Sequence, residues 1–184
     1  MTCIVAYIQK EKKRVIMGGD SCWSSNGNIK SIKDSKVFRN GDFLFGCTGK
    51  FRMFQLLKYK LELPIYDEKN VDLHYFMCTQ FIDAVIACFD YNKWEMKDKN
   101  GDSKGSFLVA YKNRIFHVEG NFQVMEYDIN YTAIGSGEKY ALGALHSMQG
   151  QNITPEAKVL KALQAAFEFV GSVDNNYKIL NSDE

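Results

Sequence analysis

The stretch Thr2-Cys3-Ile4-Val5-Ala6-Tyr7-Ile8-Gln9-Lys10-Glu11-Lys12-Lys13-Arg14-Val15-Ile16-Met17-Gly18-Gly19-Asp20 reads as two apolar, β-prone runs joined by a short charged turn. Runs that close across so short a polar connection pair with each other, so the stretch predicts a β-hairpin. Outward from it, further short strands are expected at 29–32, 36–39 and 43–47, with Asn40-Gly41-Asp42 as the turn between the last two. The period then changes. Phe51, Phe54, Leu57 and Leu61 recur at steps of three and four, which predicts a helix over 51–63 that Pro64 ends. Asp72 is the expected N-cap of a second helix running to about residue 90. Residues 91–105 are largely polar and read as an exposed loop.

Strands resume at 106–111, 114–119, 122–127 and 131–134, with Lys112-Asn113 and Gly120-Asn121 as hairpin turns. A third helix is expected after Gly135-Ser136-Gly137, to about Met148. Thr154 as N-cap and Pro155 at the first helical position open a fourth, which Gly171 stops; a last short strand is expected at 177–180. Strands, two helices, strands, two helices and a strand make an α+β chain with mainly antiparallel sheets. Two sheets face to face, each covered by a helix pair, would satisfy every apolar face. With 184 residues and no Pro/Ser-rich linker or repeat, residues 1–184 are expected to form a single domain.

The composition removes several classes of function. A net charge of +1 gives no electrostatic case for nucleic acid or an anionic membrane surface. No run of about 18 apolar residues spans a bilayer. The N-terminus makes a poor signal peptide, and a cytoplasmic location follows as the default expectation. The five cysteines, at 3, 22, 47, 78 and 88, form no CxxC pair, and the three histidines supply no metal-ligand spacing with them. They read as reduced cysteines in core or strand positions.

Four pieces can carry chemistry. Thr2 follows Met1, and a small second residue lets the initiator methionine be clipped. The freed residue would carry a hydroxyl and an amine whose ordinary pKa of about 7.7–8.0 suits a general base. Asp20 closes one strand and Lys36 opens another; a lysine beside the nucleophile would keep the amine neutral and steady developing negative charge, and an aspartate would hold that lysine. Gly49, in Gly46-Cys47-Thr48-Gly49-Lys50, stands where a strand runs into a helix and backbone N–H groups can face a ligand. Ser136 lies in a similar turn, without the spacing of an esterase elbow or a phosphate loop. Taken singly, each has an ordinary structural reading.

Together and in order they resemble the proteasome β-subunit family, most of all its bacterial relative, the HslV-type peptidase. The resemblance lies in Thr2-Cys3-Ile4-Val5, Gly19-Asp20, Lys36-Val37, Thr48-Gly49 and Ala133-Ile134-Gly135-Ser136-Gly137-Glu138-Lys139-Tyr140-Ala141, with Asp20 and Lys36 16 positions apart. It implies a four-layer αββα sandwich of the N-terminal nucleophile hydrolase type. It also implies peptide hydrolysis through an acyl ester of Thr2, with Lys36 tuning the amine, Asp20 supporting Lys36, Gly49 N–H forming an oxyanion hole and Ser136 ordering the amine. No cofactor is implied for the chemistry, though a structural monovalent or divalent cation at the turn after the fourth helix fits the family. The implied partners are unfolded protein or peptide substrates, further copies of the chain in a ring, and an ATP-dependent unfoldase.

Three departures bear on this reading. The 18 positions from Thr2 to Asp20 make a longer hairpin than the family's, Ser172 stands at the expected late aspartate with Asp174 nearby, and 91–105 has no family counterpart. Residues 21–25, Phe45 and Lys50 are the candidates for a substrate pocket. Two other functions stay open: a non-catalytic assembly subunit, and an amidohydrolase of small amides for which Cys3 would be an alternative nucleophile.

Overall fold

Strand β1 (Cys3–Gln9) leads into a 3-10 turn at Lys10–Lys12 and returns as β2 (Arg14–Asp20), the expected hairpin. The computed structural model describes residues 2–25, 28–31, 34–170 and 175–183, with the backbone alone at 22–25 and 28–31. Lys13, at a left-handed φ of 49°, reverses the chain at the end of the hairpin remote from Thr2 and Asp20. Strands β10 (Tyr131–Gly135) and β11 (Tyr177–Asn181) flank the hairpin in an antiparallel sheet of order β10-β1-β2-β11. The second sheet is an antiparallel meander of β5 (Val37–Asn40), β6 (Phe43–Gly49), β7 (Gly105–Tyr111), β8 (Arg114–Val118) and β9 (Val124–Glu126). A separate two-stranded ribbon pairs β3 (Cys22–Ser25) with β4 (Asn28–Ser31). Its first strand was not expected from the sequence, and position 32 of the expected strand at 29–32 lies outside the described residues.

Alternation along the strands sorts side chains into three apolar layers. Ile4 and Ala6 of β1, Leu44 of β6, and Leu108 and Ala110 of β7 meet between the two sheets. Cys3 and Val5 face the other way, onto α4 (Glu138–Ser147) and α5 (Pro155–Phe169). Phe45 and Cys47 of β6 and Phe107 and Val109 of β7 face α1 (Phe51–Tyr59), α2 (Leu73–Phe76) and α3 (Ile82–Tyr91). The order is therefore helices, sheet, sheet, helices, as expected. Phe45, Phe76, Phe81, Phe89, Phe107 and Phe116 are all fully buried in the last layer. Each such side chain contributes about 1.5–3 kcal/mol by leaving water, so packing rather than propensity holds these short helices. Phe45 is thereby core and not a pocket residue.

Helix boundaries differ in instructive ways. Helix α1 ends at Tyr59, not near residue 63, because Lys60 N and Leu61 N both donate to Leu56 O and the chain turns Leu61 into the core. Asp72 does cap the second helix, accepting from Tyr75 N at 3.0 Å. Between α2 and α3 the helix widens to a π-turn at Met77–Phe81, which no periodicity of apolar residues announces. Thr154 caps α5 through Ala157 N, with Pro155 first in the helix. The stop at Gly171 lies outside the described residues, as do Ser172, Asp174 and the turn proposed for a cation. Residues 91–105 are not a plain exposed loop: Met96 is 3% exposed, and Trp94 packs on the same core.

Candidate active site

Antiparallel pairing brings five chain segments to one end of the sandwich. Thr2 precedes β1, Asp20 ends β2, Lys36 precedes β5, Gly49 ends β6 and Ser136 follows β10. Registers Ile4↔Gly19 and Cys3↔Gly135 fix Asp20 and Ser136 on either side of Thr2.

The hydrogen bonds form two sets, joined through the Thr2–Cys3 backbone. Thr2 N donates to Ser136 Oγ at 3.1 Å, and Ser136 Oγ donates to Thr2 O at 3.2 Å. Cys3 N donates to Asp20 Oδ1 at 2.9 Å, and Lys36 Nζ donates to Asp20 Oδ2 at 2.6 Å. Asp20 is 0% exposed and Lys36 3%, so neither is the solvated surface charge that a strand end usually carries. A buried ammonium and carboxylate persist only when paired and hydrogen-bonded, which this geometry provides. As encoded, Thr2 N is the amide joined to Met1; it becomes an amine only when Met1 is removed. Among the described residues Thr2 Oγ1 makes no hydrogen bond.

Gly49 stands on the neighbouring sheet, at the same end. Lys50 N donates to Lys104 O at 2.8 Å, which marks Gly49↔Gly105 as a pair that does not exchange hydrogen bonds. Gly49 N–H therefore points away from β7. Two residues earlier, Cys47 N has the same sense and donates to Lys36 O at 2.9 Å, so Gly49 N–H points to the Lys36 side. The strand ladder, rather than the helix N-terminus assumed from sequence, aims it, since α1 begins two residues later. Gly49 has φ +102°, and a Cβ there would lie 2.1 Å from Lys104 O. Gly135, at φ +97°, closes the gap between sheets: its Cβ would meet Thr2 O at 2.3 Å and Thr48 Cγ2 at 3.2 Å.

Similarity to known proteins follows the same outline. No protein-family model matches the chain. The ATP-dependent protease subunit HslV of Caldicellulosiruptor saccharolyticus is 38% identical over 181 residues, covering 97% of each chain. The protein of the same name from Campylobacter jejuni subsp. doylei is 30% identical, over 96% of this chain and 93% of its own. The chain belongs to the HslV family. Among solved structures, Thiobacillus denitrificans BPH superposes with a TM-score of 0.78 at 21% identity, over 98% of this chain and 97% of its own. HslV of Trypanosoma brucei gives 0.69 at 17%, over 97% and 98%. These likenesses bear on the fold.

Within this HslV-family chain, all five residues singled out from the sequence lie at one end of the sandwich, and four of them form two directly hydrogen-bonded pairs, Thr2–Ser136 and Asp20–Lys36. Sequence reasoning missed Cys3 N–H, a backbone donor on Asp20, and Lys104 O, which seats the Gly49 turn. No side-chain pattern marks either. Among the described residues, no group of three or more His, Cys, Asp or Glu side chains could hold a metal ion. Nor is any described helix long and apolar enough to cross a membrane.

Cys3 does not have the setting of a nucleophile. Its side chain is 0% exposed and faces α4 and α5. Burial, then the charges of Asp20 and Glu138, push its thiol up to about 12. Thiolate is the reactive form, so Cys3 and the equally buried Cys47 should resist alkylation of the native protein at pH 8 while exposed Cys78 reacts. Peptide mapping after iodoacetamide treatment checks this; modification of Cys3 as fast as Cys78 would restore it as a candidate nucleophile.

Proposed function

We propose that this chain is a threonine peptidase that hydrolyses peptide bonds of unfolded proteins, working in the cytoplasm as a ring of identical subunits. The observation that carries the reading is the hydrogen-bonded set Ser136–Thr2–Cys3–Asp20–Lys36 at the head of β1. Relatives named as ATP-dependent protease subunits support a peptidase with an ATP-driven partner.

In the proposed reaction, removal of Met1 frees the Thr2 amine. The amine takes the Oγ1 proton as Oγ1 adds to the scissile carbonyl carbon, and the carbonyl electron pair moves onto oxygen. Gly49 N–H faces that oxyanion, and the Lys36 charge lowers the energy of both the oxyanion and the neutral amine. Collapse expels the leaving amine, which takes the proton from the Thr2 ammonium. A water then adds to the ester carbonyl, giving a proton to the same amine. Collapse breaks the bond from that carbon to Oγ1, Oγ1 takes the proton back from the ammonium, and the acid leaves with the free amine and hydroxyl restored. Ser136 Oγ, already bonded to Thr2 N, holds that amine toward Oγ1. Asp20 holds Lys36, and its second oxygen fixes the β1 backbone next to the nucleophile. The chemistry calls for no cofactor.

Intact mass with and without a threonine-reactive electrophile tests this. Epoxomicin, present in one Thiobacillus denitrificans BPH structure, is a suitable probe. The expected masses are the chain less one methionine and a single adduct, absent from Thr2→Ala. A mass retaining Met1 with no adduct overturns the peptidase reading and favours an assembly subunit.

A further inference from the structure

The segment between α3 and β7 is built as a support for the Gly49 turn. Trp94 and Met96 anchor it in the core that α1 and α3 share with the second sheet. Between Lys97 and Ser103, which form an antiparallel bridge, Asp98 closes a tight turn: its Oδ1 accepts Asn100 N at 2.8 Å and Asp102 N at 3.0 Å. Asp98 N also donates to Asp102 O at 2.9 Å. The turn delivers the chain to Lys104, which is held at three points. Its N–H donates to Met96 O at 2.7 Å, its ammonium lies 5.1 Å over the Trp94 ring, and its carbonyl accepts Lys50 N. The same carbonyl is the atom that a Cβ on Gly49 would strike. Gly49 thus rests on Lys104, and Lys104 rests on the anchored segment.

We propose that residues 94–104 form a positioning element that fixes the direction of Gly49 N–H through the Lys104 carbonyl. The inference rests on the peptidase reading above. None of these side chains touches substrate; they act through the Gly49 peptide. An oxyanion donor acts only if it is already aimed, and a misplacement of about 1 Å can cost about a hundredfold in rate. The segment should therefore matter most to steps in which charge develops on a carbonyl oxygen.

The test compares two reactions of Thr2 in full-length, assembled protein. Hydrolysis of a fluorogenic peptide amide develops a carbonyl oxyanion. Alkylation by a vinyl sulfone of the same peptide adds Oγ1 to a carbon–carbon double bond and does not. Asp98→Ala removes an exposed side chain that accepts two turn N–H groups. It should lower kcat about tenfold and leave KM and the vinyl sulfone rate within about twofold. Trp94→Ala, which removes an anchor and the ring beneath Lys104, should do the same more strongly; if it does not fold, Asp98→Ala alone decides. Unchanged kcat in Asp98→Ala overturns the proposal. So does an equal fall in hydrolysis and alkylation, which would make the segment a general fold support. If the wild type neither cleaves nor alkylates at Thr2, the peptidase reading fails and this inference with it, a result told apart by the wild-type control.

Discussion

Thr2→Ala protein is expected to fold and assemble like the parent and to cleave nothing. Alanine is also small enough for Met1 removal, so the amine remains and only the hydroxyl and methyl are lost. Among the described residues that hydroxyl makes no hydrogen bond, and both bonds to Ser136 use backbone atoms. The change should thus cost the fold under about 1 kcal/mol, whereas losing a nucleophile costs on the order of 10⁶ in kcat. Thr2→Ser keeps the hydroxyl and should retain measurable turnover. The measurement is hydrolysis of a fluorogenic peptide alongside thermal unfolding. Turnover by a well-folded Thr2→Ala protein would place the nucleophile elsewhere, and Cys3, turned into the α4–α5 core, offers no ready replacement.

The fold was legible wherever apolar alternation or a cap stood in the sequence. The β1–β2 hairpin, the Lys112-Asn113 turn (φ 48° and 64°), and the Asp72 and Thr154 caps were read from residue type alone. What escaped was set by backbone geometry. The π-turn at Met77–Phe81 and the early end of α1 follow from where Phe81 and Leu61 must be buried, which local period does not encode. The candidate site divides in the same way. Thr2, Asp20, Lys36, Gly49 and Ser136 could be named because a side chain, or the lack of one, marks each. Cys3 N–H and Lys104 O could not, since any residue supplies a backbone group and only the strand register brings these to the site. The 91–105 segment was misread for a related reason: its polar residues face water, while its structural content lies in Trp94, Met96 and backbone bonds.

Asp20→Asn separates the two duties of the buried pair. Asparagine keeps the shape and can still accept from Cys3 N, so the β1 backbone has its anchor. What it removes is the negative charge 2.6 Å from Lys36 Nζ, where the two side chains are 0% and 4% exposed. Taking one partner from a buried ion pair costs about 3–5 kcal/mol, because the remaining charge stays desolvated. At about 2–4 °C per kcal/mol for a chain of this size, the midpoint of thermal unfolding should fall by roughly 10 °C. The catalytic effect has its own signature. In the proposed mechanism Lys36 lies beside the Thr2 amine and would disfavour its protonation by like-charge repulsion, so the neutral base would persist to lower pH. Without the Asp20 charge the Lys36 ammonium is no longer held beside the site, so in the proposed mechanism its repulsion on the amine weakens and the amine would keep its proton to higher pH. The acid limb of the kcat/KM profile should move upward in pH, and the maximal rate should fall about a hundredfold as the oxyanion loses a nearby cation. A variant that loses stability while keeping its acid limb in place would leave Asp20 a structural residue, and would remove Lys36 from the proposed tuning of the amine.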